Sequence, residues 1–149
     1  MIQLNRILVP TDFSQFSAEA TKYACAFVER FGSELHVIHV STLDTEFGPQ
    51  FLPDYIEQLQ QEEDDALAAV PDVEWAEGRS VVRKRLSGKP FLEIIRYAKH
   101  NDIDMIVMGT HGHSGLAHML IGSVAEKVVR KSPCAVLTVR PEGHGFVMP

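Results

Sequence analysis

Short apolar segments alternate with segments of helical periodicity along the whole chain, and this alternation limits the fold more than any other feature. The order strand, helix, strand is typical of a parallel sheet whose right-handed crossover helices cover both faces. The sequence therefore predicts an α/β fold, a single-domain three-layer sandwich. The predicted strands cover 5–10, 34–40, 80–86, 105–108 and 135–139, and the predicted helices cover 14–31, 53–69, 90–100 and 123–131.

Composition narrows the class of protein. With 149 residues the chain has the size of one domain, which we assign to 1–140, followed by a loose tail at 141–149. The net charge of -6 disfavours general nucleic-acid binding, which needs clustered lysine and arginine, and it fits an anionic membrane surface poorly. Cys25 and Cys134 show no metal or redox spacing, so we expect two unbridged thiols.

The apolar runs of the sequence are short. None approaches the roughly 20 residues of a membrane span. The run 7–9 near the N-terminus is also too short for the apolar region of a signal peptide. We therefore expect a cytoplasmic protein without membrane insertion.

Local signals place several element ends and faces. Ser14 is a good N-cap and Gly32 a good C-terminal cap for the first helix. The segment 41–51 is predicted to be a loop because Gly-Pro breaks regular structure. The acidic run 62–65 is expected on a solvated helix face, and the basic run 83–85 is expected at a sheet edge. The inner face of the helix at 90–100 is expected to carry Phe91, Leu92, Ile94, Ile95 and Ala98.

One glycine-rich stretch joins the fourth strand to the last helix. It contains Gly109, Gly112, Gly115, Gly122 and Ser123. Glycines permit positive φ and close approach to a ligand, and the unpaired N–H groups at a helix start attract anions. The stretch therefore predicts a phosphate site. The alternative is a turn that only lets the helix pack closely on the sheet.

Two better-known phosphate motifs do not fit the chain. A P-loop needs Gly-Lys followed by Ser or Thr, but Gly88-Lys89 is followed by Pro90. The dinucleotide-binding pattern GxGxxG is also missing after the first strand.

Other walls of the predicted site come from the ends of other strands. In open parallel sheets, ligands bind beyond the carboxyl ends of the strands, where the strand order reverses. Pro10, Thr11 and Asp12 end or follow the first strand, Val40 ends the second, and Gly109 follows the fourth. For Asp12 two interpretations stand: helix capping, or a hydrogen bond to a ribose or a water-mediated metal contact.

The distribution of positive charge limits how the site could hold phosphate. No lysine or arginine lies between Lys99 and Lys127. A polyphosphate would therefore rest on backbone N–H groups, the helix dipole, the Ser123 hydroxyl and a divalent cation. Since each neutral contact contributes only about 0.3–1.5 kcal/mol, affinity must also come from a base and a ribose.

Histidines and serines near this stretch do not form a recognisable catalytic or metal motif. The histidines are His36, His39, His111, His113 and His118. A zinc site needs three or four converging ligands, and the chain has neither HExxH nor a cysteine partner, so contact of His111 or His113 with a phosphate is the stronger interpretation. Ser114 and Ser123 show no triad spacing, and G-x-S-x-G is missing.

These segments together resemble the universal stress proteins over nearly the whole chain. The matching segments are 6–12 (RILVPTD) with Ser14, 35–40 (LHVIHV), 104–112 (DMIVMGTHG) and 122–137 (GSVAEKVVRKSPCAVL). The last two carry the full pattern G-x2-G-x9-G-[S/T]. The chain is therefore similar to the ATP-binding members of that family.

The resemblance implies a sheet in the order 3-2-1-4-5, a homodimer through strand five (Ala135–Val139) with higher oligomers open, and ATP with Mg²⁺ or Mn²⁺. It places Pro10, Thr11, Asp12 and Val40 at the adenosine and Met108 and Gly109 at the ribose. It places Gly112, Gly122, Ser123 and Val124 at the phosphates, and no residue is assigned to the metal. Ala135 departs from the second proline that the family often has after the cysteine.

The resulting hypothesis is a stress-response or regulatory dimer whose nucleotide state biases its conformation or its binding of a protein partner. Hydrolysis is expected to be slow at most, because no general base or arginine finger is visible, and no catalytic residue is assigned. The alternatives are a slow nucleotide hydrolase and a nucleotide-independent interaction module. An adenylating enzyme with S-G-G-x-D-S after strand one is disfavoured by the sequence at 10–14.

Overall fold

A single sheet of five parallel strands forms the centre of the protein. The computed structural model describes residues 1–48, 50, 52–112 and 121–140. The sheet has the order β3-β2-β1-β4-β5, so the implied order 3-2-1-4-5 is confirmed. The strands are β1 (Arg6–Pro10), β2 (Glu34–Ser41), β3 (Val81–Ser87), β4 (Met105–Gly109) and β5 (Ala135–Val139).

The strand order reverses between β1 and β4. Ile7 of β1 lies opposite Leu35 of β2 on one side and opposite Met105 of β4 on the other. From β1 the chain builds outward through β2 to β3, then crosses back and builds outward through β4 to β5. This reversal opens a crevice beyond the carboxyl ends of the two central strands, which is where ligands of such sheets bind.

Helices cover both faces of the sheet, as the alternating pattern predicted. One core joins alternate strand residues to the longer helices α1 (Gln15–Phe31) and α3 (Pro53–Ala68). The other core joins the remaining strand residues to α5 (Pro90–His100) and α6 (Ser123–Lys131). Because side chains alternate along a strand, Ile7 and Val9 belong to the first core and Leu8 to the second.

The ends of α1 confirm two sequence predictions. The Ser14 hydroxyl accepts a hydrogen bond from the Ser17 backbone N–H at 3.3 Å, which satisfies one unpaired donor of the first turn. Gly32 takes the left-handed conformation with φ 68° at the other end, and its N–H donates to the Val28 carbonyl. The two caps therefore set the start of α1 after β1 and the end of α1 before β2.

The structure corrects several local predictions. The segment 41–51 was predicted to be a loop, but it contains the one-turn helix α2 (Leu43–Glu46), and α4 (Val73–Ala76) is a second unpredicted turn of helix. Leu92 does not lie on the inner face of α5: its side chain is 41% exposed, while Tyr97 is buried instead. One-turn helices are too short to show helical periodicity in the sequence. Tyr97 is missing from the predicted inner face because tyrosine carries a polar hydroxyl.

The sheet edge β3 carries the basic run as predicted. The Arg83 guanidinium donates to the carbonyls of Val70 and Pro71, and Arg85 forms an ion pair with Asp64 of α3 at 2.7 Å. This hydrogen bond raises the pKa of Arg85. These side chains lie along an edge where positive charge hinders pairing with another strand.

The structure also bears on the two thiols, on membrane-spanning helices and on the extent of the described residues. Cys25 and Cys134 are both unbridged and half-buried, as expected. No helix within the described residues combines the length and apolar character needed to cross a bilayer. The predicted tail at 141–149, together with His113, Ser114, Gly115 and His118, lies outside the described residues.

Candidate functional site

A cavity of about 200 Å³ lies beyond the carboxyl ends of β1, β2 and β4, at the reversal of strand order. All ten residues predicted from the sequence line it, although they come from four separate parts of the chain. They are Pro10, Thr11, Asp12, Val40, Met108, Gly109, Gly112, Gly122, Ser123 and Val124. Their individual ligand contacts remain predictions.

The cavity has further walls that the sequence did not point to. They are Ser17, His39, Pro90, Ile94, Thr110 and Ala125, together with His111, for which contact with a phosphate was predicted. Ser17 lies in the first turns of α1, and Pro90 and Ile94 lie in the first turns of α5. Helix starts that follow a parallel strand are expected at this end of the sheet, and that rule alone could have suggested them.

Three glycines lie where an added Cβ would be crowded, by backbone at Gly109 and Gly122 and by a side chain that can rotate at Gly112. A Cβ at Gly109 would lie 2.9 Å from the Phe16 carbonyl oxygen, and one at Gly122 would lie 3.0 Å from the Thr110 carbonyl oxygen. At Gly112 it would lie 2.6 Å from Asp12 Oδ2. None of these glycines has positive φ, so close approach is their role and the expected conformational freedom is not used here.

The start of α6 faces this cavity. Gly122 is its N-cap, with φ -74° and ψ 162°, and supplies no side chain to cap the first turn. The first N–H groups of a helix have no partner inside the helix and carry partial positive charge. Because Gly122, Ser123 and Val124 line the cavity, these donors and the Ser123 hydroxyl are available to an anion there.

The opposite wall is the turn Thr11–Asp12–Phe13 between β1 and α1. Asp12 Oδ1 accepts a hydrogen bond from the Ser14 N–H at 3.0 Å, a contact within the turn, whereas the helix itself is capped by Ser14. Phe13 has φ 63°, a left-handed angle that bulky side chains rarely adopt. Its N–H donates to the Thr11 hydroxyl at 3.1 Å. The turn is therefore held in one strained shape beside the cavity.

His39 connects this turn to α3. Its Nδ1 lies 2.8 Å from the Thr11 carbonyl oxygen, and its Nε2 lies 3.2 Å from Glu63 Oε1. The Phe13 ring packs on the imidazole with centroids 4.4 Å apart. Ser41 also donates to Glu63 Oε1, at 3.1 Å.

The position of Glu63 corrects the prediction for the acidic run 62–65. Its side chain is only 19% exposed and turns inward to β2, so the expectation of a solvated face is wrong for this residue. Glu62 and Asp65 are exposed and bond only to glutamines of their own helix, as a solvated face requires. The position along α3 does not by itself indicate which of the four adjacent carboxylates contacts a histidine of β2.

Among the described residues, no lysine or arginine lines the cavity, so these residues contribute no cationic side chain to its wall. Within 1–48, 50, 52–112 and 121–140, no three His, Cys, Asp or Glu side chains converge as a metal site would require. His111 is buried, and its Nδ1 lies 2.9 Å from the Thr110 hydroxyl. The site can therefore offer N–H donors, hydroxyls and one carboxylate to a ligand, with apolar surface from Val40, Met108 and Ile94.

Comparison with known proteins gives a consistent result over the whole length of this fold. The model of the Universal stress protein family matches residues 3–140. Universal stress protein MJ0531 of Methanocaldococcus jannaschii is 36% identical over 141 residues, which is 91% of this chain and 81% of that protein. Universal stress protein YxiE of Bacillus subtilis is 32% identical over 146 residues, covering 91% of this chain and 99% of that protein.

Solved structures agree with the fold. Universal stress protein UspA from Lactobacillus plantarum superposes with a TM-score of 0.80 at 26% identity, over 94% of this chain and 100% of that chain. Two more distant structures, at 23% and 20% identity with TM-scores of 0.62 and 0.61, are a universal stress protein in complex with cAMP and one from Archaeoglobus fulgidus in complex with dAMP. At that distance the likeness shows the shared fold alone.

Proposed function

The chain belongs to the universal stress protein family, and from that premise we propose that it binds ATP in the cavity between β1, β2 and β4. We further propose that it acts as a cytoplasmic stress-response or regulatory dimer. Nucleotide occupancy would bias its conformation or its binding of a protein partner. Catalysis is not part of the proposal.

One observation carries the nucleotide proposal: the ten residues indicated by the sequence and by the family resemblance line a single cavity at the reversal of strand order. The residues also fit the groups of a nucleotide. Apolar side chains of Val40 and Met108 offer a surface for a base, and the start of α6 offers N–H donors to phosphates. Gly109 and Gly122 line the cavity at points where a side chain would meet the backbone of Phe16 and Thr110.

Related proteins support the choice of ligand. Two universal stress proteins with this fold were solved with adenine nucleotides, one with cAMP and one with dAMP. The chain carries the full pattern G-x2-G-x9-G-[S/T], and its resemblance to the ATP-binding members of the family favours a triphosphate. A Mg²⁺ or Mn²⁺ ion would take most of its ligands from phosphate oxygens and water, because the described residues offer no carboxylate cluster of their own.

The proposed dimer would form through β5. This strand lies at the edge of the sheet, and Ala135 at its start is exposed. Ala135→Lys adds a charge to an open edge, which hinders pairing with a second strand. Analytical ultracentrifugation should show a dimer for the native chain and a monomer for Ala135→Lys, and a monomeric native chain contradicts this part of the proposal.

Equilibrium titration with a fluorescent ATP analogue, with and without Mg²⁺, tests the nucleotide proposal. Gly122→Val places a side chain against the Thr110 carbonyl and across the N-terminus of α6, so it should abolish binding. Gly48→Val is the matched control, because Gly48 does not line the cavity and its Cβ would meet only the Gln50 side chain at 3.6 Å. Circular dichroism should show that both variants remain folded.

The alternatives give different results in the same set of proteins. Absence of saturable binding to the native chain below millimolar concentration contradicts the proposal and leaves a nucleotide-independent interaction module. Turnover above about one per second in a phosphate-release assay would instead indicate an enzyme. Mass spectrometry of the native protein identifies a nucleotide that copurifies with it.

A further inference from the structure

Two buried hydroxyl side chains, those of Thr11 and Ser17, meet at the wall of the cavity. Each residue is only 5% exposed, both line the cavity, and the two hydroxyl oxygens lie 3.1 Å apart. Thr11 follows β1, and Ser17 lies in the first turn of α1. A hydroxyl has one proton to donate and two lone pairs that accept, so the other partners of these groups decide the direction of the bond between them.

Those partners assign the bridging proton to Thr11. The Ser17 hydroxyl donates to the Ser14 carbonyl oxygen at 2.9 Å, and a carbonyl oxygen can only accept. The Thr11 oxygen accepts from the Phe13 backbone N–H at 3.1 Å, and an N–H can only donate. Because the Ser17 proton is used, the bond between the two oxygens takes the Thr11 proton, with Ser17 as its acceptor. The Ser14 hydroxyl approaches the same acceptor only to 3.5 Å.

The backbone of Thr11 is fixed without Ser17. Its N–H donates to the Ile38 carbonyl oxygen of β2 at 2.8 Å, and its own carbonyl oxygen lies 2.8 Å from His39 Nδ1. These contacts leave open the rotation of the Thr11 side chain about its Cα–Cβ bond. The hydrogen bond to Ser17 sets that rotation and so aims the Thr11 oxygen at the Phe13 N–H.

The turn after Thr11 depends on this oxygen. Phe13 has φ 63°, and a strained backbone persists only where surrounding contacts hold it. The bond from the Phe13 N–H to Thr11 is one such contact, and the packing of the Phe13 ring on His39 is another. Asp12 lies between the two bonded residues and lines the cavity. A change of angle at Phe13 therefore moves the backbone that carries the Asp12 carboxylate.

We propose that Ser17 is a positioning residue of the nucleotide site: by accepting the Thr11 hydroxyl proton, it holds the Thr11–Phe13 turn in the shape that binds the nucleotide. Ser17 acts through Thr11, because its own proton is donated to Ser14 inside the protein. The effect on affinity rests on the function proposed above, whereas the coupling between Ser17 and the turn does not.

Amide hydrogen exchange, followed by NMR in the nucleotide-free protein, tests the coupling. Ser17→Ala removes the acceptor, so the Phe13 amide should exchange about fivefold faster than in the native chain, which corresponds to the loss of one hydrogen bond. Equal exchange of this amide in Ser17→Ala and in the native chain overturns the proposal, whether or not the protein binds a nucleotide.

Thr21→Val is the matched control for this measurement. It removes another buried hydroxyl of α1, which donates to the Ser17 carbonyl oxygen at 2.9 Å. Thr21 does not line the cavity and has no bond to the turn among the described contacts. Exchange of the Phe13 amide should therefore be the same in Thr21→Val as in the native chain.

Titration with the fluorescent ATP analogue tests the consequence for affinity. Ser17→Ala should raise the Kd about fivefold, a typical size for coupling between linked positions. Thr11→Val removes the hydroxyl itself and should raise the Kd by at least about as much, whereas Thr11→Ser keeps a hydroxyl and should recover most of that loss. In the double variant of Thr11→Val and Ser17→Ala, the Kd should match that of Thr11→Val to within about twofold, because Ser17 then has no Thr11 proton to accept.

The same variants separate positioning from a purely structural role. Thr21→Val should lower the melting temperature and keep the native Kd. If it weakens binding as much as Ser17→Ala does, the loss reflects the stability of α1 and the proposal fails. If the effects of Thr11→Val and Ser17→Ala on the Kd multiply, Ser17 acts independently of Thr11, which also contradicts the proposal.

Two further outcomes are decided by the remaining proteins. If Ser17→Ala does not fold, Thr11→Val and Thr11→Ser take its place: a higher Kd in Thr11→Val supports the role of the hydroxyl, and equal Kd values overturn it. If the native chain binds no nucleotide, the proposed function fails, and exchange of the Phe13 amide alone decides whether Ser17 positions the turn.

Discussion

Two histidines of β2, His36 and His39, each contact a glutamate through one ring nitrogen, but their other ring nitrogens face different groups. His36 is buried and His39 is half-buried, and each pairs through Nε2 with a glutamate, His36 with Glu34 at 2.8 Å and His39 with Glu63 at 3.2 Å. Their Nδ1 atoms differ. Nδ1 of His36 faces the hydroxyl of Tyr97 at 2.7 Å, whereas Nδ1 of His39 faces a backbone carbonyl.

That one difference decides which partners a neutral ring can satisfy. The Tyr97 hydroxyl can donate to Nδ1 while Nε2–H donates to Glu34, so His36 is fully satisfied as a neutral ring. Burial raises the pKa of Tyr97, which keeps that hydroxyl protonated. A carbonyl cannot reverse its role in this way. The comparison teaches that the partner of the second nitrogen decides whether a neutral ring can satisfy both of its contacts.

The largest effect on stability is expected from His36→Leu. This change leaves the buried Tyr97 hydroxyl without its partner, so the free energy of unfolding should fall by about 2–3 kcal/mol in urea denaturation. The Kd for the ATP analogue should stay within about twofold of the native value, because His36 lies outside the cavity. A large loss of affinity in the folded variant would mean that both histidines serve the site.

A smaller effect is expected from Tyr97→Phe. The ring keeps its packing in the second core, and only the hydrogen bond to His36 is lost. The unfolding free energy should decrease by about 1 kcal/mol. In the double variant with His36→Leu the two losses should not add, because both remove one contact. Simple additivity would show that the hydroxyl and the ring stabilise the fold independently.

The smallest effect concerns Glu34, and it depends on pH. Its hydrogen bond from Ser80, and then the one from His36, lower the pKa of Glu34 below 4.5. Its contribution is therefore fully present above about pH 4.5 and is lost as the pH falls through the lowered pKa. Glu34→Gln should lower stability slightly near neutral pH, where the carboxylate contributes, and flatten the decline of the native protein in acid. Melting temperatures measured from neutral pH down to acid pH check this.

Much of the fold could be predicted because each element carries its own signal. The alternating pattern gave the five strands, Ser14 and Gly32 marked both ends of α1, and the basic run indicated the β3 edge. The candidate site could be located as well, since glycine motifs and strand ends are local in sequence. These predictions needed no knowledge of which side chains meet across the fold.

Contacts between distant segments could not be predicted in this way. The sequence suggests His39 only as a candidate metal ligand and places Glu63 on a solvated face, although the two meet across 24 residues of sequence. The packing of α3 on β2 brings Glu63 to His39, and no local sequence pattern encodes this packing. For the same reason the left-handed angle of Phe13 was not expected: it depends on a ring that packs on it from the next strand.

The unequal edges of the sheet also set how many copies can join. A sheet with two pairing edges can add molecules at both ends and grow into a filament. Here one edge, β3, carries Arg83 and Arg85, whereas the other edge, β5, has the sequence AVLTV. Two copies that pair through β5 about a twofold axis would each have only the arginine-bearing β3 edge left exposed. Along the direction of the sheet, the proposed assembly is therefore closed at two.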